Sequence, residues 1–129
     1  MRLRIVTPRE IRLDTGVRRI VAEAPDGAFG MWPNHIDFVS QLAAGLVFYE
    51  DAEGRERYAG VTQGTLVKRG EDVLVSTREA VLGEDPATVR DRVEEAFRRL
   101  EETERAERAA LARLELELMR QFRELDISA

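Results

Sequence analysis

The feature that most constrains this chain is an abrupt change of punctuation at Asp85-Pro86. Before it, clusters of Gly, Pro, Asp and Asn interrupt the sequence roughly every eight to twelve residues, the spacing of short strands joined by turns. After it, residues 88–125 contain neither Gly nor Pro. Segments as short as those of the first part leave no room for crossover helices, so a parallel doubly wound sheet is excluded. The chain must fold as an α+β protein: an N-terminal antiparallel β sandwich over residues 1–85, then a helical domain over residues 86–129.

Within the first part, period-two runs give the strands one wet face. Leu3 and Ile5 alternate with arginines, and Ile11 and Leu13 with Arg12 and Asp14. Asp14-Thr15-Gly16 reads as a turn into a further strand over residues 17–24, so three strands form a meander. Pro25-Asp26-Gly27 is a strong turn, because proline presets its own dihedral and glycine accepts a positive one. Later strands follow over residues 37–42, 45–49, 55–62 and 73–77, with Val81-Leu82-Gly83 closing the series. Asp51-Ala52-Glu53-Gly54 is a hairpin turn, and Gly64 marks a bulge or a close backbone approach.

In the second part, Asp85 suits a helix cap and Pro86 the first helical position, where its missing N–H is no loss. Pairs such as Glu94 with Arg98 and Glu101 with Arg105 stand at i, i+4 in the favourable order. The apolar stripe comes in two pieces, Val89, Val93, Ala96, Phe97 and Leu100, then Ala110, Leu111, Leu114, Leu118, Phe122 and Leu125. The polar stretch 101–108 between them favours a helical hairpin, with Thr103 as cap of the second helix. One long helix is the alternative, because the second piece stays in phase with the first. Leu116 and Met119 lie off the main stripe and are the candidates for a partner face.

Composition narrows function mainly by exclusion. The chain has no cysteine, one histidine and a net charge of -5. Disulfides, thiolate metal sites and thiol nucleophiles are therefore out, and nucleic acid is a poor partner for basic residues interleaved with acids. No apolar run approaches a membrane span, and Thr7-Pro8 breaks the start before a signal-peptide core forms, so a cytoplasmic protein is expected. No phosphate-binding glycine loop occurs, and no nucleophile stands with a base. Neither a cofactor, a metal nor a catalytic residue is expected, and the chain is read as no enzyme.

What remains is Gly27-Ala28-Phe29-Gly30-Met31-Trp32-Pro33-Asn34-His35, which holds the only tryptophan and the only histidine. Punctuation that dense fixes a particular backbone path, as a structural corner or as a contact surface. His35, with Asp37 two residues on, lacks the further ligands that a zinc site needs.

This stretch resembles the Gly-x-hydrophobic-Gly-hydrophobic-aromatic-Pro-x-His motif of the epsilon subunit of rotary (F-type) ATP synthases. Leu42-Ala43-Ala44-Gly45, residues 60–67 and residues 73–84 resemble, in order, the family's later strands and its exit into Ala-rich helix. The resemblance implies a non-catalytic subunit of the central stalk, docked on the gamma subunit and resting on the ring of c subunits. It would belong to a complex at the cytoplasmic face of the inner (plasma) membrane. The sandwich would couple the catalytic head to the ring, and the helices, when extended, would reach the alpha/beta head and restrain ATP hydrolysis. Asp26, Ala28, Phe29, Met31, Trp32, Asn34 and His35 are then the candidates for contact with the c ring or gamma. Two departures stand out. Ala28 occupies a place that is often acidic in the family, leaving Asp26 as the nearby carboxylate. The family's Ile/Leu-Asp-x-x-Arg-Ala nucleotide motif is degraded to Pro86-Ala87-Thr88-Val89-Arg90-Asp91, so ATP binding at Ala87, Arg90 and Asp91 is not expected. A free-standing carbohydrate- or peptide-binding sandwich with a helical oligomerisation tail is the competing expectation.

Overall fold

A computed structural model describes residues 1–128, of which the side chains are described through residue 125. Among these residues nine strands precede one helix: β1 (Arg2–Val6), β2 (Ile11–Ala24), β3 (Gly27–Met31), β4 (Phe38–Leu42), β5 (Gly45–Asp51), β6 (Glu56–Val61), β7 (Gly64–Arg69), β8 (Asp72–Thr77), β9 (Ala80–Gly83) and α1 (Pro86–Ser128). The strands form a sandwich. One sheet runs β4-β7-β8-β1 and ends on the first half of β2; the other places the second half of β2 between β3 and β5, then β6 and β9. Every pairing is antiparallel except β1 with β8, which lie parallel from Arg2 opposite Asp72 to Val6 opposite Ser76. The parallel pair is possible because β2 to β7 intervene in the chain and supply the long return that such a pair requires.

β2 corrects the expected meander. Asp14-Thr15-Gly16 is not a turn but the middle of one strand of 14 residues, which pairs with β1 over residues 11–16 and with β3 and β5 beyond them. The register against β5 shifts between Val17 and Arg19, and this irregularity bends β2 where it passes from one sheet to the other.

The core lies between the sheets. Leu3 and Ile5 of β1, Ile20 and Ala22 of β2, Met31, Val47, Ala59, Val61, Leu66, Val73 and Val75 are fully buried there. Alternation does the sorting: in β8, Val73, Val75 and Thr77 point inward while Leu74 and Ser76 face out.

The β5–β6 hairpin is closed by Asp51, a buried carboxylate. Its Oδ1 accepts from the backbone N–H of Glu53 (3.0 Å) and of Arg55 (2.8 Å), and its Oδ2 from Arg55 Nε (3.0 Å). Burial pushes this carboxyl up, but the hydrogen bonds and charge of Arg55, with the Glu53 amide, outweigh burial and hold its pKa below the ordinary value. A carboxylate so depressed contributes stability above its unfolded pKa and loses it as the pH falls through the folded one. Asp51→Asn should therefore lower the melting temperature most near neutral pH, and the gap to the unaltered chain should close below about pH 4. Melting curves of both chains across pH would show this; a gap of constant size down to about pH 2.5 would contradict it.

The helix starts as expected and continues where it was not expected to. Asp85 caps it, with Oδ1 accepting from the Ala87 N–H (3.2 Å) and Oδ2 from the Thr88 hydroxyl (2.7 Å). Val89, Val93 and Ala96 are buried over Gly60 of β6 and Gly83 of β9, on the outer face of the second sheet. The chain divides into two compact units, Met1–Phe97 and a second from Arg98 onward. α1 is a single helix of 43 residues, so the favoured hairpin is overturned and the long-helix alternative holds. Residues 101–108 have little to bury, but all except Thr103 are strong helix formers and none is Gly or Pro, so losing an apolar face does not end the helix. In the second unit Leu111, Leu114, Leu118, Phe122 and Leu125 form a stripe that is 47–67% exposed.

Candidate interaction surface

The nonapeptide divides into a strand and a corner. Its first five residues form β3, an edge strand paired to β2 through a two-residue connection, Pro25-Asp26, with Ala24 opposite Gly27. Gly27 has φ +140°, a conformation that other residues rarely adopt. Residues 32–37 form the corner that leads into β4.

The candidate residues do not share one environment. Met31 is fully buried in the core and offers the exterior no surface. Phe29 packs partly against that core and meets Phe38 edge to face, with ring centroids 5.5 Å apart. Asp26 and Ala28 are exposed at the hairpin end, and Asn34 is exposed in the corner turn. Trp32 is the aromatic presented to solvent, at 55% exposure. Its ring lies back over Gly30, where an added Cβ would stand 3.1 Å from the ring edge, so the absent side chain at Gly30 sets the indole's position.

His35 is held rather than free. Its backbone N–H donates to the Trp32 carbonyl (2.9 Å) and its ring tilts against Phe38 at 5.0 Å. Nδ1 lies 2.8 Å from the Ile36 carbonyl oxygen, so Nδ1 carries the proton and donates there, and Nε2 is the ring nitrogen left for other contacts. Among the described residues no group of three His, Cys, Asp or Glu side chains could hold a metal ion.

Two further apolar residues close in the chain are exposed, and neither was singled out in the sequence. Ile36 is 77% exposed and Val39 of β4 is 68% exposed. Val39 had a legible signal: period two puts it on the face of Gln41, opposite buried Leu42. Ile36 had none, because a corner has no period to read. Val39 lies opposite Val67 of β7, which lies opposite Leu74 of β8, so an apolar strip crosses the outer face of the first sheet beside Arg2, Arg4 and Arg69.

The residues of the degraded nucleotide motif lie on the first turns of α1, with Ala87, Arg90 and Asp91 all exposed. Arg90, Val93, Glu94 and Phe97 border a cleft of about 120 Å³ against Glu23 and Leu46, well below the usual volume of a small-molecule pocket, about 300–1,000 Å³. Leu116 and Met119 are exposed in the second unit.

Residues 1–83 match the sequence model of the family described as ATP synthase, Delta/Epsilon chain, beta-sandwich domain. The chain belongs to this family. The epsilon-family match extends beyond the sandwich. An ATP synthase epsilon chain 2 of Paraburkholderia xenovorans is 30% identical over 124 residues, covering 95% of this chain and 89% of that one. One from Cereibacter sphaeroides, also called epsilon chain 2, is 36% identical over 110 residues, covering 84% and 71%. Among solved structures, a chain of the Euglena gracilis mitochondrial ATP synthase, in an assembly of OSCP, F1 and c-ring, superposes with a TM-score of 0.57 at 25% identity. That superposition covers 62% of this epsilon-family chain and 51% of the Euglena one, less than two thirds of its length. No helix among the described residues is long and apolar enough to cross a membrane.

Proposed function

We propose that this epsilon-family chain is a non-catalytic rotor subunit of a rotary ATP synthase, coupling the catalytic head through gamma to the c ring. The corner meets the ring, and the neighbouring bare sheet face, with Val39, Val67 and Leu74, seats gamma. The observation that carries this is the exposure of Trp32 and Ile36 at the corner and of Val39 on the outer face of the first sheet, while Val89 and Val93 of α1 already pack on Gly60 of β6 and Gly83 of β9 in the other sheet. Ala28 makes the hairpin end of this contact apolar or backbone in character, and Asp26 in the turn and Glu23 opposite Ala28 are the exposed carboxylates beside it. The exposed stripe of α1, with Leu116 and Met119 beside it, supports a second contact, to gamma or to the alpha/beta head, through which ATP hydrolysis is restrained. The small cleft beside Arg90 supports the reading that no nucleotide binds there. Such a subunit is peripheral, on the cytoplasmic face of the inner membrane, and reaches the membrane only through the complex.

The test uses the full chain and a rotor assembly of gamma with the c ring. Trp32→Ala and Ile36→Ser should each weaken binding about tenfold to a hundredfold while the melting temperature stays within a few degrees, because both side chains face solvent in the free chain. Unchanged affinity in both variants would exclude the corner as the contact.

A further inference from the structure

Lys68 sits where a lysine is out of character. It is 2% exposed, on the core side of β7 with Leu66, and opposite Phe38 of β4. Its Nζ donates to the carbonyl oxygens of His35 and Gly70, each at 2.7 Å. Both acceptors are backbone carbonyls, not a carboxylate that would neutralise the charge. Gly70, at φ +59°, donates its own N–H to Asp37 Oδ1 (2.8 Å). One ammonium thus ties the corner before β4 to the β7–β8 turn, and the turn in turn ties back to the corner.

Burying an ammonium costs desolvation free energy, and an apolar residue of similar length would fill the same space without that cost. The hydrogen bonds reach only the corner and the turn, so what the charge secures is the position of those two segments. The same corner carries Trp32 and Ile36 outward. We infer that Lys68 is a positioning residue that fixes the corner in the geometry its partner binds, so that the contact is formed before binding. This rests on the corner's being a partner contact. Ordering the segment in advance removes an entropic cost from association.

Lys68→Met keeps the length and removes the donors. In the full chain it should leave the melting temperature nearly unchanged, while amide exchange at His35 and Gly70 accelerates about tenfold or more relative to Leu66 and Val75. Fluorescence quenching of Trp32, the single tryptophan, should rise, and affinity for the rotor assembly of gamma and c ring should fall. A general loss of stability would speed exchange at all four amides alike. Unchanged exchange at His35 and Gly70 overturns the inference. So does full affinity of Lys68→Met when Trp32→Ala and Ile36→Ser bind weakly. If those two variants bind normally, the contact reading fails, and the exchange at His35 and Gly70 alone decides whether Lys68 fixes the corner. Should Lys68→Met not fold, NMR of the unaltered chain decides. A slowly exchanging Lys68 ammonium coupled across hydrogen bonds to the His35 and Gly70 carbonyls supports the inference, and a rapidly exchanging, uncoupled one overturns it.

Discussion

Replacing Gly64 with alanine is expected to lower the melting temperature by roughly 12–24 °C, corresponding to a loss of about 3 kcal/mol. Gly64 opens β7 between two neighbours, opposite Leu42 of β4 and Thr77 of β8. A Cβ there would run into the backbone carbonyl of Ser76, with Thr77 Cα only 3.3 Å away. A flexible side chain could swing aside, but a carbonyl in a sheet moves only with its strand. Next to it, the Thr77 hydroxyl donates to the Gln63 carbonyl (2.7 Å) and lies 3.2 Å from the Thr62 hydroxyl, both threonines being buried. Shifting β8 to relieve the clash would open this pair and leave buried hydroxyls unsatisfied, which adds to the cost. Thermal melts followed by circular dichroism would measure the change, and a drop of only a few degrees would mean that the two strands separate without disturbing the threonines.

The second large effect is expected at the seat of the helix. A Cβ at Gly60 would stand 2.7 Å from Val93 Cβ and 3.1 Å from Val89 Cγ1, and one at Gly83 would stand 2.6 Å from Val89 Cγ2. These contacts are too short to persist, and valine has few rotamers with which to escape. Gly60→Val should therefore lift the start of α1 from the sheet and forfeit the burial of Val89, Val93 and Ala96, about 3–5 kcal/mol in all. Hydrogen exchange is the direct readout: amides of residues 89–97 lose protection while those of β1, β7 and β8 keep it. The two glycines should also differ in rescue. At Gly83 the obstacle is a methyl group, so Gly83→Ala should cost less in a Val89→Ala background than alone. At Gly60 it is the Cβ of Val93, which alanine retains, so Val93→Ala should give no comparable relief. Equal behaviour at both sites would show that the helix slides along the sheet instead of lifting off.

The sandwich was legible because burial in most strands follows the period-two pattern. Leu3 and Ile5 point in while Arg2 and Arg4 point out, and Val73 and Val75 are sorted from Leu74 in the same way. β2 was misread because Asp14-Thr15-Gly16 has the composition of a turn, although Leu13, Thr15 and Val17 continue the alternation through it. In α1 the polar stretch removed the packing signal but not the helix propensity, and the two are separate properties of a sequence. Within the candidate site, Trp32 and the glycine pattern could be read directly. Lys68 could not, because a lysine in a strand reads as solvent-facing by type, and only its phase with Leu66 shows that it turns inward. Met31 erred in the opposite sense: motif membership suggested a contact, while β3 pairing turns its side chain into the core.

The passage of β2 from one sheet to the other has a mechanical consequence. Two sheets joined only through an apolar core resist being pulled apart better than they resist sliding, because apolar contact has no direction. Here residues 11–16 are hydrogen-bonded into one sheet and residues 17–24 into the other along a single backbone. Sliding one sheet past the other therefore means stretching covalent bonds or stripping a ladder of hydrogen bonds at once. A load applied to one face is passed to the other as tension along a strand, and the sandwich answers torque as one stiff body.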